Sequence, residues 1–386
     1  MIKEGDYVIF KKTDTMKIFP VKLNKPFMID RFKTKLDNLV NKPFGYKYEI
    51  KDQQLHLVQN TLSDDMNKVA IFDKDNRNLV DKSANQKLSH DEIEKLKQLE
   101  DISGTEIIDR LIENSASFSQ KTEYSQEKYI KKKKEKYLAV FEILKPTIRT
   151  LSEYYILGNH KRKVLNMRMD TLAQILTYSN VAAYRNVVVL ESCKGLILAS
   201  VVERVAGFGN VINLSPNGSH ISTKEILDYM NFPPEYTQNL YNFPLERSDK
   251  LDEYIEELNK KLAIATDDTF RDKQTKKLEL AHKVNEIFKT KKVDCLIIAS
   301  KFRPSPILEK LIDSMAPNRN FVIYSLIQEP LIECHSFLKR TQKAIHIELS
   351  DSWLREYQVL PERTHPKNNM DCCGGYLLTG ITVTNE

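Results

Sequence analysis

Short apolar runs, rich in β-branched and aromatic residues, alternate with polar clusters over the first 82 positions. The runs read "DYVIF", "KIFPVKL", "YKYEI", "LHLV" and "KVAIF", and clusters of Gly, Asp, Asn and Lys separate them. β-branched and aromatic residues favour strands, whereas such polar clusters favour turns. The pattern predicts a β-rich, barrel-like domain over residues 1–82.

The spacing of apolar residues becomes helical from Ser89 onward. "SHDEIEKLKQLE" opens with Ser89 and Glu92 at the capping-box spacing, and "SGTEIIDRLIENSASF" places apolar side chains on one helical face. These side chains are Ile107, Ile108, Leu111 and Ile112. "KTEYSQEKYIKKKKEKYLAVFEILKPT" then predicts one long helix that ends near Pro146. We therefore predict a helical linker with a basic stretch over residues 83–150.

Apolar strands alternate with amphipathic helices after residue 150. "NVVVLES", "GNVINLS", "VDCLIIAS", "NFVIYSL" and "KAIHIEL" are the predicted strands. This alternation predicts an α/β domain with a mostly parallel sheet that helices cover on both faces. "WLREYQVL" and "GGYLLTGITV" predict a terminal antiparallel hairpin. A Rossmann-like methyltransferase fold over residues 151–386 has this arrangement.

Residues 217–290 interrupt the alternation. They contain the Pro- and Asn-rich stretch "NFPPEYTQNLYNFPLERSDK", followed by the charged helical segments "DEYIEELNKKL" and "KQTKKLELAHKVNEIF". Polar, highly charged segments of this length commonly lie outside the core. We interpret residues 217–290 as an insertion that is partly mobile and faces solvent.

Composition narrows the class of protein only slightly. The chain has 386 residues, a net charge of +6 and five cysteines. Cys372 and Cys373 are adjacent, which does not match the C-x-x-C spacing of a zinc site. The start "MIKEGDYVIF" lacks the pattern of a secretory signal, and no apolar run approaches the length of a membrane span. We expect a cytosolic or nuclear protein without a membrane partner or a metal site.

The stretch "NVVVLESCKGLILAS" has the outline of a cofactor-binding strand, turn and helix. Glu191 stands where the first acid of a D-x-G-x-G-x-G turn would be, but Gly195 is the only glycine that follows it there. The next strand ends at Ser215, with no carboxylate to accept hydrogen bonds from a ribose. We therefore predict a degenerate pocket at Glu191, Gly195 and Ser215 that binds no cofactor. Gly195 would then serve close packing, and Glu191 would cap or pair locally.

Other catalytic constellations are equally weak. Cys193, His220 and His335 could be combined as nucleophile and base, but nothing in the sequence fixes them together. G-x-S-x-G, P-loop and H-E-x-x-H motifs do not occur in the sequence. We predict no catalytic residues.

Basic segments provide the strongest local indication of function in the sequence. "KTEYSQEKYIKKKKEKY" contains seven lysines and three tyrosines, so it could neutralise phosphates and stack a base. A solvated helix face or a nuclear-import signal would explain the same composition. "NHKRKVLNMRMD" adds a second basic segment, and "LPERTHPKNNMDCCGGYLLTGITV" forms a loop in which Gly374 and Gly375 are expected to supply flexibility. The predicted RNA-binding residues are Lys131, Lys132, Lys133, Lys134, Lys161, Arg162, Lys163, Arg363 and His365.

Several long motifs are specific to one family. "NQKLSHDEIEKLK", "SGTEIIDRLIENSASFSQKTEYSQEKYIKKKKEKY", "FRPSPIL", "EYQVLPERTHP" and "GGYLLTGITV" resemble the non-catalytic subunit of the eukaryotic tRNA (adenine-58-N1)-methyltransferase. The resemblance spans essentially the whole chain. It implies a tRNA-binding subunit of a nuclear heterotetramer, two of each subunit, that forms N1-methyladenosine at position 58 of initiator methionine tRNA and other tRNAs. The catalytic partner would bind S-adenosylmethionine.

The same resemblance gives a second test of the cofactor site. It implies that the catalytic partner carries an aspartate at the end of the fourth strand, where this chain has Ala299, Ser300 and Lys301. Two alternatives stay open at this point. One is a catalytically active S-adenosylmethionine-dependent RNA methyltransferase, and the other is a stand-alone RNA-binding protein.

Overall fold

A computed structural model gives the fold of most of the chain. The residues that it describes are 1–12, 15–30, 32–51, 53–58, 88, 92, 104–115, 118, 123–158, 160–264, 267–359, 364–368, 370 and 373–384. These residues form two compact units, Met1–Lys145 and Pro146–Glu386. The predicted strand "KVAIF" and almost all of the predicted helix "SHDEIEKLKQLE" lie outside the described residues.

An antiparallel sheet of five described strands forms the first unit, in the order β2-β1-β7-β5-β6. Its buried face carries aromatic and aliphatic side chains, among them Phe10, Tyr48 and Phe141. A short hairpin, β3 with β4, accompanies it. The strands are β1 (Tyr7–Lys12), β2 (Thr15–Pro20), β3 (Phe27–Ile29), β4 (Phe32–Thr34), β5 (Tyr46–Lys51), β6 (Gln54–Leu57) and β7 (Val140–Leu144).

The prediction of one helix up to Pro146 is wrong. Helix α1 (Gly104–Glu113) is present as expected, but α2 spans only Glu123–Tyr137 and is followed by β7. Burial alternates along β7, with Phe141 and Ile143 inward, which is the period of a strand. Because β7 lies between β1 and β5, the polypeptide returns from its helices to complete the sheet of the first unit.

A seven-stranded sheet organises the second unit, in the order β10-β9-β8-β11-β12-β16-β13. Its neighbours pair in parallel except β16, which is antiparallel to both β12 and β13. This confirms the predicted mostly parallel sheet with an antiparallel end. The strands are β8 (Asn186–Glu191), β9 (Asn210–Ser215), β10 (Leu240–Pro244), β11 (Val293–Ala299), β12 (Met315–Ser325), β13 (Ala344–Asp351), β14 (Tyr357–Gln358), β15 (His365–Pro366) and β16 (Tyr376–Thr382).

Amphipathic helices connect these strands. Buried hydrophobic side chains on helices and strands together form the core of the unit, as Leu198 on one helix and Val189 on β8 illustrate. The helices are α3 (Ile148–Leu157), α4 (Met169–Tyr178), α5 (Leu196–Val205), α6 (Ile221–Tyr229), α7 (Pro234–Thr237), α8 (Leu251–Ala263), α9 (Asp268–Glu286), α10 (Pro304–Leu311) and α11 (Glu329–Thr341). Among the described residues, no helix is both long and apolar enough to cross a membrane.

Two expectations about this unit need correction. The described residues of "WLREYQVL" do not pair with β16, because β16 is already bonded to β12 and β13 on its two sides. They form β14, which pairs with β15. Residues 217–290 are not an insertion that lies outside the core. They contain β10, which pairs in parallel with β9, and helices α8 and α9, whose buried faces include Leu258 and Val284.

Candidate functional site

The carboxyl ends of β8, β9 and β11 are the place where a parallel α/β sheet binds ligands. Glu191, the last residue of β8, is buried, and its Oε1 accepts a hydrogen bond of 3.2 Å from the Leu198 amide in the first turn of α5. Burial raises the pKa of its carboxyl to about 7, although the backbone amides of the following turn act to lower it. The side chain therefore caps α5 from inside the protein, as the local-cap interpretation expects.

Gly195 holds the turn after β8 against α6. Its φ of +94° lies in the left-handed region, and a Cβ atom there would be 2.0 Å from the carbonyl oxygen of Thr223. One residue earlier, the carbonyl of Lys194 accepts a hydrogen bond of 3.2 Å from the Ile226 amide. The glycine therefore allows two backbone segments to pack together, rather than a ligand to approach.

Side chains close the remainder of the turn. Cys193 is fully buried, with its Sγ 3.9 Å from the carbonyl oxygen of Ala299. Burial, followed by the nearby Glu191, raises the pKa of this thiol well above its ordinary value, so the thiol is neutral and not a nucleophile. Lys194 forms an ion pair of 3.3 Å with Glu225 of α6.

The end of β9 carries a buried polar network that the sequence did not reveal. Asn213 is fully buried and its amide donates to Thr223 Oγ1 at 3.0 Å and to Asn242 at 2.8 Å. Ser215 is buried at the last position of the strand. The bonds of Asn213 join β9 to β10 and to α6, so this side chain serves the packing of the protein. The Ser215 hydroxyl has no hydrogen-bond partner among the described residues. An asparagine between isoleucine and leucine in "VINL" was the available signal.

The turn after β11 is also held by hydrogen bonds within the protein. Ala299 is buried, and its carbonyl accepts a hydrogen bond of 2.9 Å from the Ser192 amide. The Ser192 hydroxyl in turn accepts from the amide of Lys301 at 3.3 Å. The turns that follow β8 and β11 are thus bonded to each other.

These residues do not fit S-adenosylmethionine. The ligand requires an open backbone turn after β8 and an acceptor for its ribose hydroxyls after β9. Here α6 covers the turn at Gly195, and Ser215 supplies no carboxylate. We therefore derive no chemical step through this cofactor in the chain.

The other candidates for catalysis are spread over separate elements. His220 directly precedes α6, and His335 lies within α11, whereas Cys193 is enclosed in the turn after β8. Within the described part of the chain, no group of three or more His, Cys, Asp or Glu side chains could hold a metal ion.

The basic stretch of the first unit lies on α2. Lys132 and Lys134 are exposed. Lys133 is half-buried, and its Nζ lies 5.0 Å from the ring centroid of Tyr129 and 5.9 Å from that of Tyr137. Such cation–π contacts hold the ammonium group against the protein. The described lysines of this run therefore differ in their exposure to solvent. The side chain of Lys131 lies outside the described residues.

The other predicted RNA-binding residues belong to the second unit. Lys161, Arg162 and Lys163 lie in a 3-10 turn, Lys161–Val164, in which Arg162 and Lys163 are exposed. His365 is exposed on β15, with its Nδ1 2.9 Å from the carbonyl oxygen of Pro366. Arg363 lies outside the described residues. None of these positions is tested by the fold alone, so RNA contact stays a prediction for all of them.

Comparison with known proteins identifies relatives of the chain. A sequence profile of the Gcd10p family matches residues 1–279. The tRNA (adenine(58)-N(1))-methyltransferase non-catalytic subunit TRM6 of Mus musculus is 34% identical over 446 aligned positions, which cover 100% of this chain and 89% of that protein. The subunit of the same description from Dictyostelium discoideum is 31% identical and covers 100% of this chain and 80% of its own length. The one from Schizosaccharomyces pombe is 27% identical, with 99% and 92% covered.

Solved structures resemble the chain at the level of the fold. A SAM-dependent O-methyltransferase from Thermotoga maritima has a TM-score of 0.50 at 14% identity, covering 100% of this chain and 96% of that one. The tRNA (m1A58) methyltransferase TrmI from Aquifex aeolicus also has a TM-score of 0.50, at 13% identity, covering 100% and 99%. These likenesses confirm the Rossmann-like methyltransferase fold, and the sequence profile together with the full-length relatives shows that the chain belongs to the Gcd10p family.

Proposed function

We propose that this chain is the non-catalytic, tRNA-binding subunit of the complex that forms N1-methyladenosine at position 58 of tRNA. The observation that carries the proposal is the closed turn after β8, where the Thr223 carbonyl occupies the space that a side chain at Gly195 would enter. With this turn packed against α6 and no carboxylate at Ser215 to accept hydrogen bonds from a ribose, the chain lacks two of the features by which this fold holds the methyl donor. The relatives that match the full chain bear the name of this subunit.

S-adenosylmethionine is bound, on this proposal, by a catalytic partner subunit. The present chain contributes a folded scaffold and, in each of its two units, a basic segment for tRNA. The exposed lysines of α2 and the cations of the turn Lys161–Val164 are suited to phosphate contacts, because each neutralised phosphate releases counterions. His365 and the neighbouring Arg363 would add contacts from a second segment.

Assembly and location extend the proposal. We infer a heterotetramer with two copies of each subunit, acting in the nucleus on initiator methionine tRNA and other tRNAs. The resemblance of the motifs to the family supports the stoichiometry and the substrates. The run Lys131–Lys134 has the composition of a nuclear-import signal. Native mass spectrometry of the purified complex would measure the stoichiometry, and a fluorescent fusion with and without the four lysines would measure the location.

Calorimetry with S-adenosylmethionine tests the central proposal. The full chain purified alone should give no binding heat, and the complex with its catalytic partner should bind the cofactor and methylate tRNA. Micromolar binding to the isolated chain would instead indicate an active methyltransferase. Purification of the chain from cells as a monomer, with no methyltransferase attached, would indicate a stand-alone RNA-binding protein.

A further inference from the structure

A cavity of about 310 Å³ lies at the amino ends of β11, β12 and β13 in the second unit. Ligands of a parallel α/β sheet bind at the carboxyl ends of its strands, so this cavity lies at the edge opposite to the turns after β8 and β11. Its volume is at the lower end of the range for small-molecule sites. Its lining includes Lys292, Ile312, Asp313, Met315, Lys343 and Thr384.

The lining of the cavity has an excess of positive charge. The ammonium groups of Lys292 and Lys343 face a single carboxylate, that of Asp313. Ile312 and Met315, which line the same cavity, are buried. Apolar walls lower the local dielectric constant and so strengthen the attraction between these cations and an anion. The cavity is therefore suited to an anionic ligand.

Lys343 is the more shielded partner of its ion pair. Its Nζ lies 2.7 Å from each carboxylate oxygen of Asp313. The side chain of Lys343 is 26% exposed, whereas that of Asp313 is 71% exposed. The ammonium group thus belongs to the wall of the cavity, and the carboxylate is in contact with solvent. Because an ion pair with an exposed partner is weak, another anion can take the place of Asp313 on Lys343.

Lys292 has no carboxylate partner among the described residues. Its Nζ lies 3.5 Å from the backbone carbonyl oxygen of Asp313, which is at the long limit for a hydrogen bond. The side chain is half-buried. The cavity therefore combines one ammonium group that is paired with an exposed acid and one whose charge no described acid neutralises.

The backbone of Lys292 has a conformation that favours glycine, with φ +63° and ψ +158°. Asn186 donates a hydrogen bond of 3.0 Å to its carbonyl oxygen, and the next residue, Val293, pairs with Met315. A π-helical turn, Ile287–Lys291, precedes it, and such turns are frequent at functional sites. A charged residue that is held in a strained conformation at a cavity indicates a function for its side chain.

We propose that this cavity is a binding site for a phosphate group, which Lys343 and Lys292 hold by charge-assisted hydrogen bonds. The phosphate takes the place of the Asp313 carboxylate on Lys343 and supplies the anion for Lys292. Ammonium groups act as point charges, and a phosphate has enough oxygen acceptors to be shared between two of them. A backbone phosphate of tRNA and a free phosphate have this chemistry in common. Only the tRNA source rests on the proposed function.

Inorganic phosphate tests the site in the full chain. Binding to the folded state raises the melting temperature, and potassium chloride of equal ionic strength is the reference. The general stabilisation by phosphate is shared by all variants, so the saturable part reports the site. We expect the Kd to rise about tenfold in Lys343→Gln and in Lys292→Gly. Glycine accepts the backbone conformation at position 292, so K292G should retain the fold.

Asp313→Asn should change the affinity in the opposite direction. The amide keeps the shape of the side chain but removes the negative charge that competes for Lys343. We expect the Kd for inorganic phosphate to fall about fivefold. An unchanged or higher Kd in D313N would overturn the proposed exchange of anions.

Lys291→Gln is the matched control. Lys291 directly precedes Lys292, but it is bonded to Glu286 at 2.9 Å and does not line the cavity. K291Q removes one positive charge from the chain, as K292G does, so it should leave the Kd unchanged. Equal Kd values for the wild type, K291Q, K292G and K343Q would overturn the proposal.

Filter binding of tRNA to the assembled complex separates the two sources of phosphate. If the ligand is a phosphate of tRNA, K292G should reduce the slope of log affinity against log salt by about 0.7–0.9, with K291Q close to wild type. An unchanged slope, together with phosphate binding to the chain alone, identifies a small phosphate-bearing molecule as the ligand. A complex that binds no tRNA would overturn the proposed function, whereas the melting temperatures of the chain alone would still decide whether the cavity binds phosphate.

Discussion

Two carboxyl groups, the buried Glu191 and the half-buried Asp170, show how differently the two halves of the seven-stranded sheet are built. At the end of β8, Glu191 is surrounded by backbone amides, and burial raises its pKa to about 7. Near the end of β13, burial also acts against ionisation of Asp170, but hydrogen bonds from Arg168 and Ser352 outweigh it and lower the pKa of that carboxyl. The acid at β8 is shielded from solvent, whereas the acid beside β13 is paired with Arg168.

The two halves of the sheet differ in the groups that make their buried contacts. The half with β8 and β9 is where the fold would bind a nucleotide; here Gly195 packs against Thr223, and Asn213 bonds to Thr223 and Asn242. In the half with β13 and β16, Arg168 donates to the Ser352 carbonyl and Thr171 to the Gly374 carbonyl. Neutral groups therefore make the buried contacts at the ends of β8 and β9, whereas an ion pair is retained beside the end of β13.

Replacement of Gly195 by alanine should cause the largest loss in the free energy of unfolding. The variant combines a left-handed φ of +94° with a Cβ only 2.0 Å from the Thr223 carbonyl oxygen. Backbone strain of about 1–2 kcal/mol and overpacking of about 1–3 kcal/mol predict a loss of about 4 kcal/mol in the free energy of unfolding. Denaturant unfolding of the purified chain measures it.

Gly45 provides the matched control for that variant. Its φ is +89°, but a Cβ there meets nothing within 4 Å. Gly45→Ala should therefore show the backbone strain alone, about 1–2 kcal/mol. Equal losses for the two variants would mean that α6 moves away from the turn at little cost, and that the pocket after β8 is not closed by packing.

Asp170→Asn should come next, because it leaves the buried Arg168 without a countercharge. Breaking one side of such a pair predicts a loss of about 3 kcal/mol at pH 7. Since the folded-state pKa is lowered, the stabilising contribution is present above the unfolded value of 3.8 and is lost as pH falls through the folded value. Unfolding free energies of wild type and variant should therefore converge towards low pH.

Asp249→Asn serves as the control on a more exposed pair. Asp249 bonds to Lys310 at 2.9 Å, and its pKa is also lowered, with burial acting against the bonds from Lys310. An exposed pair of this kind contributes about 0–1 kcal/mol. If D249N and D170N lost equal stability, the Arg168–Asp170 pair would be no stronger than an ordinary surface ion pair.

Sequence patterns predicted the strands and helices of the second unit well, because apolar runs and amphipathic helices have distinct periods. They failed at β7. There the lysine-rich helix continues without a proline or glycine into "LAVFEIL", and only long-range pairing with β1 and β5 selects the strand. They also failed for β10, where the Pro- and Asn-rich surroundings hid a short edge strand that depends on β9.

The sequence alone predicted those features of the candidate site that depend on the absence of glycines and of an acidic residue. One glycine after β8 and no acid after β9 are visible in the sequence. The contact between Gly195 and Thr223, and the hydrogen bond from Arg168 to the Ser352 carbonyl, join residues far apart along the chain. In the sequence Arg168 is one more cation in a basic segment, and only its burial distinguishes it from Arg162.

Glu191→Gln should have a smaller effect that changes with pH. Because burial raises the folded pKa to about 7 from 4.5, the contribution of this carboxyl to stability is fully present below pH 4.5 and is lost as pH rises through 7. E191Q removes that dependence, so its stability relative to wild type should improve by about 2 kcal/mol between pH 5 and pH 8. Parallel stability curves for the two proteins would contradict the neutral interior at β8.

The lysines of α2 should give the smallest effect, and one that appears in tRNA binding and not in stability. Lys132 and Lys134 are exposed, whereas the ammonium group of Lys133 is held against Tyr129 and Tyr137. If exposed lysines contact phosphates, K132A/K134A should reduce the slope of log affinity against log salt by about 1.5, at about 0.7–0.9 per phosphate, and K133A should reduce it by less. Filter binding of tRNA to the assembled complex at several salt concentrations measures the slopes. An unchanged slope for the double variant would mean that these lysines form a solvated helix face, and the surface for tRNA would then have to be sought at the turn Lys161–Val164.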